Sequence, residues 1–320
     1  MNFSIRLLQE QEIESANHVF RFAFGTFIGL SDPLQFAGDA AYIRHRYLIE
    51  PTAAFVAELD GQLIGSNLAT NWGSFGFFGP LSVHPDFWNQ GVAKELIAAV
   101  CVGEARRRHR FEEWGIKQAG LFTFPNSAKH HALYQKFGFW PQFLTAIMVK
   151  SASAFEPISD SMRYSLLSQS EKEQVLTASL ELTNTIYEGL DLRREIEAVS
   201  TLSLGDTIFL VDESRLVGLA VCHYGAGTEA GSNNCYVKFA AVRPEMNAVD
   251  RFAQLVNLCE NMTLAVGMSN LLAGVNTSRH EAYRLLIGRG FRTQTTGVAM
   301  QRPNALGYNQ SDIFVLDDWR

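Results

Sequence analysis

The 320-residue chain is sparing with several things. It has four cysteines (Cys101, Cys222, Cys235 and Cys259), scattered with no metal-type spacing. That argues against a disulfide framework and a metal centre, and reads as free thiols in a reducing cytoplasm. Charged residues make up only 19%, and the 27 lysines and arginines are outnumbered by 33 acids, for a net charge of −6. No bulk electrostatic attraction to nucleic acid or to an anionic membrane follows from such a balance. No apolar run approaches the ~20 residues that a membrane span needs. The opening "MNFSIRLLQEQEIES" is too polar for a signal peptide. What is plentiful is apolar residue, 47%, the profile of an ordinary folded protein.

The pattern of those apolar residues predicts a mixed α+β chain. "QEIESANHVFRFAFGTFI" and "AGDAAYIRHRYLI" read as helices, with apolar residues three and four apart. "AAFVAELDGQLIGSNLAT" reads as a hairpin turning at Asp60-Gly61. "FGFFGPLSV" is a strand in which Gly79-Pro80 suggests a bulge or a splayed edge. Residues 92–108 read as a helix with Val92, Leu96 and Val100 on its buried stripe. "AGLFTFP" is a strand, "SAKHHALYQKF" a helix stopped by Gly138, and "FLTAIMVK" the last strand of the first half.

After "SASAFEPISDS", the small and polar stretch 151–161, the pattern returns. "FVAELDGQLIG" is answered by "FLVDESRLVG", "LSVHP" by "AAVRP" and "YQKFGF" by "LIGRGF". Gly65 and Gly218 lie 153 residues apart, Pro85 and Pro244 159, Gly138 and Gly290 152. Three matches in one order at similar offsets indicate a duplicated domain, with halves at 1–150 and 162–320 joined by a linker at 151–161.

In the first half a strand leads through "VHPDFWNQGVA" into a helix. The start of a helix leaves several N–H groups unpaired, and with the helix dipole they form an anion site. Gly91 keeps the backbone approachable, Ala93 keeps the next turn small and Lys94 adds positive charge. A phosphate or pyrophosphate suits such a row of amides better than a carboxylate does.

This order of strand, V-H-P, aromatic, x-x-G-x-A and amphipathic helix resembles motif A of the GCN5-related N-acetyltransferases, the GNAT superfamily. Here the motif reads "WNQGVA", with Trp88 where the family has Gln or Arg. The family's second signature, a helix with a tyrosine ahead of a G-F pair, is matched by "SAKHHALYQKFGF". Ser127 stands where an asparagine usually precedes that tyrosine by seven residues, with Asn126 beside it. The resemblance covers roughly residues 3–150. It implies two tandem GNAT-like domains, each a twisted mixed sheet flanked by helices. It implies acetyl-coenzyme A as co-substrate, with its pyrophosphate on the backbone of Trp88, Asn89, Gln90, Gly91, Val92, Ala93 and Lys94. Leu81, Ser82 and Val83 would face the thioester and pantetheine, and Ser127 completes the implied cofactor-binding set. Tyr134 would be the general acid, since a phenol is still protonated at neutral pH.

The base is less legible. The strand into motif A carries no acid, so Glu58 on the adjacent strand, His84, a water and the terminal segment "GYNQSDIFVLDDWR" all stay open. Some tandem members of the family use a chain-terminal carboxylate, so Asp317, Asp318 or the carboxylate of Arg320 could reach the cleft; a simple packing strand is the competing expectation. Of His130 and His131, one is expected to face solvent and the other the cofactor edge. Trp72, Phe75, Phe77 and Phe78 line an acceptor site or belong to the core. The basic run "RRRHR" at 106–110 reads as a solvated helix end, with a cofactor 3′-phosphate contact as the weaker alternative.

The second copy reads as silent. No glycine follows Pro244 at the right spacing, Asp250 stands where phosphate would sit, and Leu286 takes the place of Tyr134. It would wall an acceptor pocket between the halves. The expected partner is a small-molecule or peptide amine, with a homo-oligomer left open. The acidic balance leans toward a cationic amine. The competing function is a non-catalytic sensor that binds acyl-coenzyme A.

Overall fold

The computed structural model describes residues 2–101, 110–156 and 161–320. The basic residues 106–109 and residues 157–160 of the expected linker lie outside them, as does the expected helical stretch 102–108. In chain order the first half contains β1 (Ser4–Leu7), α1 (Ile13–Phe27), α2 (Ile43–Ile49), β2 (Ala54–Leu59), β3 (Gln62–Trp72), β4 (Phe75–Phe78) and β5 (Ser82–Val83). It continues with α3 (Val92–Cys101), α4 (Arg110–Glu113), β6 (Gln118–Thr123), α5 (Ala128–Gln135) and β7 (Trp140–Ser151). The second half contains β8 (Ser161–Arg163), α6 (Gln169–Ile186), α7 (Arg193–Thr201), β9 (Gly205–Asp212), β10 (Arg215–Gly225) and β11 (Gly231–Val242). It ends with α8 (Ala248–Ala265), β12 (Asn270–Asn276), α9 (His280–Gly288), β13 (Arg292–Arg302) and β14 (Val315–Leu316).

Local chemistry explains most of these elements. Asp60 and Gly61 both have positive φ (50° and 81°), as a two-residue type I′ hairpin turn requires. The matching hairpin β9–β10 turns through Glu213 and Ser214, also with positive φ (48° and 66°) but without a glycine. Ser168 and Glu171 form a reciprocal capping box that starts α6. The stripe Val92, Leu96 and Val100 on α3 is buried as its spacing predicts. One helix is shorter than its periodicity suggests. Residues 37–39 form turns and 40–42 are irregular rather than the start of α2, because Arg21 gathers the carbonyls of Phe36, Gly38 and Ala40 onto its guanidinium.

The strands join one mixed sheet in the order β1-β2-β3-β4-β6-β13-β7-β12-β11-β10-β9-β8, with β5 on β3 and β14 on β11. Each half repeats one scheme, an antiparallel meander followed by a parallel neighbour: β4 with β6, and β11 with β12. The last strands are then exchanged. β7 pairs with β12 from Asn276↔Thr145 to Asn270↔Ser151, while β13 pairs with β6 from Val298↔Thr123 to Arg302↔Ala119. β7 and β13 also pair with each other at the centre. The segment expected to close the first half therefore closes the second. Alternation specifies which face of a strand is buried, but not which strand lies beside it.

A shared core knits the halves. Trp72, Phe75 and Phe77 pack with Leu190, Phe239 and Trp319, all fully or nearly fully buried. The indole Nε1 of Trp72 donates to Glu195 Oε2 at 3.1 Å. These three aromatics belong to the core and not to a binding surface.

Candidate active site

The sheet opens at one place in the first half. β4 runs parallel to β6 only over Phe75–Phe77. At Gly79 (φ +147°) the chain turns away, and it re-enters as β5, held to β3 through Gly65↔Val83 and Ser66↔Ser82. β6 meanwhile continues against β13. The wedge between β5 and β6 is the mouth of a cleft of about 900 Å³. Leu81, Ser82 and Val83 line one side of it, and Leu121, Phe122 and Thr123 line the other.

The start of α3 lines the cleft. The chain reaches it through a short turn at Pro85–Phe87, then Asn89 and Gly91, both with positive φ (64° and 87°). A Cβ on Gly91 would meet nothing within 4 Å, so glycine serves the left-handed conformation here rather than a tight fit. Trp88, Asn89, Gly91, Val92, Ala93 and Lys94 all line the cleft, and Lys129 and Lys136 add charge from α5 and just beyond it. The N-terminal turn of a helix, its dipole and three lysines make a site for a bulky anion. Trp88 has a structural task as well. Its Nε1 donates to the carbonyl of Val83 at 2.7 Å, tying the turn to β5, and Lys129 Nζ sits 5.8 Å from its ring centre. Gln90 does not line the cleft; its amide donates to the carbonyl of Asp86. Ser127 does not line it either, and is buried as the N-cap of α5.

Tyr134 forms part of the wall. It is buried against Phe78, and burial raises its pKa. A phenol held in that way stays protonated throughout the physiological range. One turn earlier on the same face, His130 also lines the cleft, packed against the rings of Phe27 and Phe124, with its buried Nδ1 lacking a partner. Burial, and then Lys129, lower its pKa, which keeps the imidazole neutral at pH 7. His131 instead lies with Nε2 3.1 Å from the Phe124 carbonyl.

Aromatic rings also line the cleft. Phe20, Phe24, Phe36 and Tyr42 form one group of rings with centroids 5.0 to 5.8 Å apart. From the second half come Thr295, Thr296, Trp319 and Arg320. The rim is tied across the halves by Arg46. Its Nε meets Glu229 Oε1 at 3.0 Å, its Nη1 donates to the carbonyl of Gly79 and its Nη2 to that of Arg320. Lys238 Nζ holds the other oxygen of Glu229 at 2.7 Å. Burial alone would raise the pKa of Glu229, but Arg46 and Lys238 outweigh it and hold the carboxyl far below its usual range.

Among the described residues no Asp or Glu lines this cleft. Glu58 lies on the outer part of the sheet, clamped by Arg6, and is not a lining residue. His84 stacks on Phe22 and accepts from the Asp86 amide, also outside the cleft. In the terminal segment both expectations hold in part. Val315–Leu316 is a packing strand, while Trp319 and Arg320 continue into the cleft. Asp317 is held by Arg279 (2.7 Å) and Tyr308 (2.7 Å); Asp318 Oδ1 accepts from Tyr236 (2.9 Å) and faces Arg320, while its buried Oδ2 has no hydrogen-bond partner among the described residues. Of the four aromatics singled out at 72–78, only Phe78 lines the cleft. The ring group from α1, Phe36 and Tyr42 escapes sequence reading because helical spacing of Phe looks the same on a core face and on a pocket wall.

The corresponding wedge of the second half is closed. β14 pairs with β11 at Ala240↔Leu316 and Ala241↔Val315, the positions matching Leu81 and Ser82. Arg279, fully buried and standing where Ser127 stands in the first half, donates from Nη1 to the Val315 carbonyl at 2.9 Å and holds the strand there. Among the described residues no cluster of His, Cys, Asp or Glu is suited to hold a metal ion, and no helix is long and apolar enough to cross a membrane.

Comparison with known proteins agrees with this geometry. Residues 50–141 match the model of the acetyltransferase (GNAT) domain. A structure of a putative acetyltransferase from Pyrococcus horikoshii covers 99% of this chain and 95% of its own, with TM-score 0.66 at 14% identity. A GCN5-related N-acetyltransferase from Sphaerobacter thermophilus covers 94% and 95%, with TM-score 0.56 at 14% identity. A tandem GNAT protein from the clavulanic acid biosynthesis pathway covers 94% and 98%, with TM-score 0.54 at 11% identity. At such identities the likeness speaks to the fold. Among curated protein sequences none matches significantly.

Proposed function

We propose that this chain, a GNAT superfamily member with a tandem fold, is an N-acetyltransferase that moves an acetyl group from acetyl-coenzyme A to a primary amine. The observation that carries the reading is the open wedge. Its lining brings together a helix N-terminus, a protonated tyrosine and a group of packed aromatic rings. The residues fit the co-substrate. The α3 turn, with Lys94, Lys129 and Lys136, is the cradle for the pyrophosphate. Leu81, Ser82 and Val83 offer the free edge of β5 to the pantetheine amides, as a neighbouring strand would meet it.

In the mechanism, the chain's main contribution is placing thioester and amine in contact, which alone is worth many orders of magnitude in rate. Tyr134 donates its proton to the departing sulfur, a task for which its raised pKa keeps it loaded. His130, neutral and lining the cleft, is the acceptor for the amine proton. We assign residues 1–150 as the catalytic unit and 162–320 as the degenerate one, joined through 151–161. In this arrangement the second half supplies β13, Trp319 and Arg320 to a site it no longer possesses itself.

The test is release of free thiol from acetyl-coenzyme A with a panel of amines, beside calorimetry of acetyl-coenzyme A binding. Turnover that Tyr134→Phe removes while binding persists is the expected result. Tight binding without turnover on any amine would instead mark an acyl-coenzyme A sensor.

A further inference from the structure

A strand that leaves its sheet gives up backbone partners, and each must be found again. In the open wedge this happens at Gly79, just past the last register pair of β4 and β6, Phe77↔Gly120. The Gly79 N–H donates to the Leu68 carbonyl of β3 at 2.8 Å. Its carbonyl accepts from Arg46 of α2. The same guanidinium donates to the Arg320 carbonyl and meets Glu229 Oε1 at 3.0 Å, while Lys238 holds the other oxygen of Glu229. Arg46, Glu229 and Lys238 are all buried, so solvent does not share these charges. Each half thus meets its splay with a buried arginine. Arg279 holds the plugging strand of the closed wedge, and Arg46 holds the turned-away strap of the open one.

The strap, Gly79, Pro80 and Leu81, lines the cleft. Beyond it β5 is fixed by other means. Ser82 and Val83 pair with β3, the Ser66 and Ser82 hydroxyls lie 2.9 Å apart, and Trp88 ties the α3 turn to Val83. His84 donates back to Ile64, so by alternation the Leu81 and Val83 amides face the wedge. We propose that Arg46 and Glu229 are a positioning pair for the transfer, the fork of Arg46 holding the Gly79 strap away from β6 and Glu229, from the half without a site, holding the fork. A planar guanidinium serves several acceptors in fixed directions, whereas an ammonium is a mobile point charge. Without the fork the Gly79 carbonyl turns back toward β6 and carries Leu81 out of line with Tyr134. The α3 turn, tied at Val83, keeps the pyrophosphate. The pair touches no reacting atom, and its role rests on the acetyltransferase reading. Glu50 and Arg194 supply a comparison: they also join α2 to the second half, and neither lines the cleft.

The experiment uses the full chain and the variants Arg46→Lys, Glu229→Gln and Arg194→Met. Each is read by urea unfolding, by calorimetry with coenzyme A and by thiol release with the amine that the parent turns over fastest. Hydrogen exchange of the Leu81 and Val83 amides is followed with and without acetyl-coenzyme A. Arg46→Lys is expected to lower kcat by about 10- to 100-fold, the scale of a misplacement near 1 Å, with coenzyme A affinity within about threefold. In that variant acetyl-coenzyme A no longer protects the two amides. Arg194→Met, in a pair half open to solvent, should keep kcat within about twofold and keep the protection. Glu229→Gln should lower kcat in the same direction. Arg46→Lys combined with Glu229→Gln should lose no more than the worse single variant, since both act through one fork. If Glu229→Gln does not fold, Arg46→Lys, which keeps a cation beside Glu229, carries the test. Equal losses in Arg46→Lys and Arg194→Met would reduce the pair to general docking of α2 and overturn the inference. An unchanged kcat in Arg46→Lys would overturn it as well. A parent chain that binds acetyl-coenzyme A and turns over no amine removes the transferase reading. The exchange contrast between Arg46→Lys and Arg194→Met then upholds the pair if present and overturns it if absent.

Discussion

The two halves of this chain face the same architectural problem and end differently. Each contains a parallel pair that diverges, β4 from β6 and β11 from β12, and a diverging pair exposes backbone groups that need partners. In the first half the edge of β5 is left to a cleft. In the second, β14 fills the gap and Arg279 locks its carbonyl in place. A strand and an extended ligand are equivalent solutions for such an edge, so a duplicated scaffold gives up binding once its own chain supplies the missing strand. The same segment that seals one wedge then reaches the other through Trp319 and Arg320. The closed wedge and the lined cleft are thus built from one terminal segment.

The comparison breaks most visibly at its matched positions. Tyr134→Phe should lower turnover by roughly 10²–10⁴-fold, the usual worth of a general acid, with acetyl-coenzyme A affinity nearly unchanged in calorimetry. Leu286→Ala, at the equivalent place, should do the reverse. It should cost about 2–5 kcal/mol in chemical denaturation, since Leu286 is fully buried, and leave turnover per folded molecule intact. Similar losses of turnover in both variants would mean that the second half is not the silent partner described here. Because the Tyr134 pKa is raised, its acid form persists past neutrality, so no alkaline loss of activity below about pH 10 should trace to it.

A second contrast concerns the buried groups where the halves meet. His223 on β10 is fully buried, both ring nitrogens lack partners, and burial pulls its pKa down to about 3. In the unfolded chain a histidine binds its proton near pH 6.5, whereas the folded chain refuses it until about pH 3. The contribution is fully present above pH 6.5 and is lost as pH falls toward 3, at up to about 1.4 kcal/mol per pH unit. Urea unfolding of His223→Phe across that window should show a flatter pH dependence than the parent protein. An unchanged slope would place the acid sensitivity elsewhere.

Smaller effects sharpen the picture of the two helix starts. Gly91→Val forces a β-branched residue to φ +87°, and should weaken acetyl-coenzyme A binding by roughly tenfold. At the start of α8 the equivalent turn holds Asp250, so calorimetry should give one site per chain; two sites would contradict a closed second wedge. The smallest effect is expected at Glu58. It is a part-exposed partner of Arg6, so Glu58→Gln should cost under about 1 kcal/mol and leave turnover within about twofold. A large loss of activity there would restore it as a base.

Much of the molecule was legible in its residues. The hairpin at Asp60-Gly61, the stripe on α3, the stop at Gly138 and the duplication itself are local patterns, and local patterns follow from propensity, turn stereochemistry and periodicity. The left-handed turn at Gly91 and the tyrosine ahead of Gly138-Phe139 could be named for the same reason: each is contiguous in the chain. What the tertiary structure alone decided are relations between distant segments. Which strand completes which half, which wedge is plugged, and that Phe20, Tyr42 and Arg320 line one cleft all depend on contacts between segments far apart in the chain, about 75 residues for β14 on β11 and more than a hundred for the exchanged strands. A strand's side-chain alternation fixes its faces and leaves its neighbours free, and those neighbours are chosen by the packing of the whole sheet.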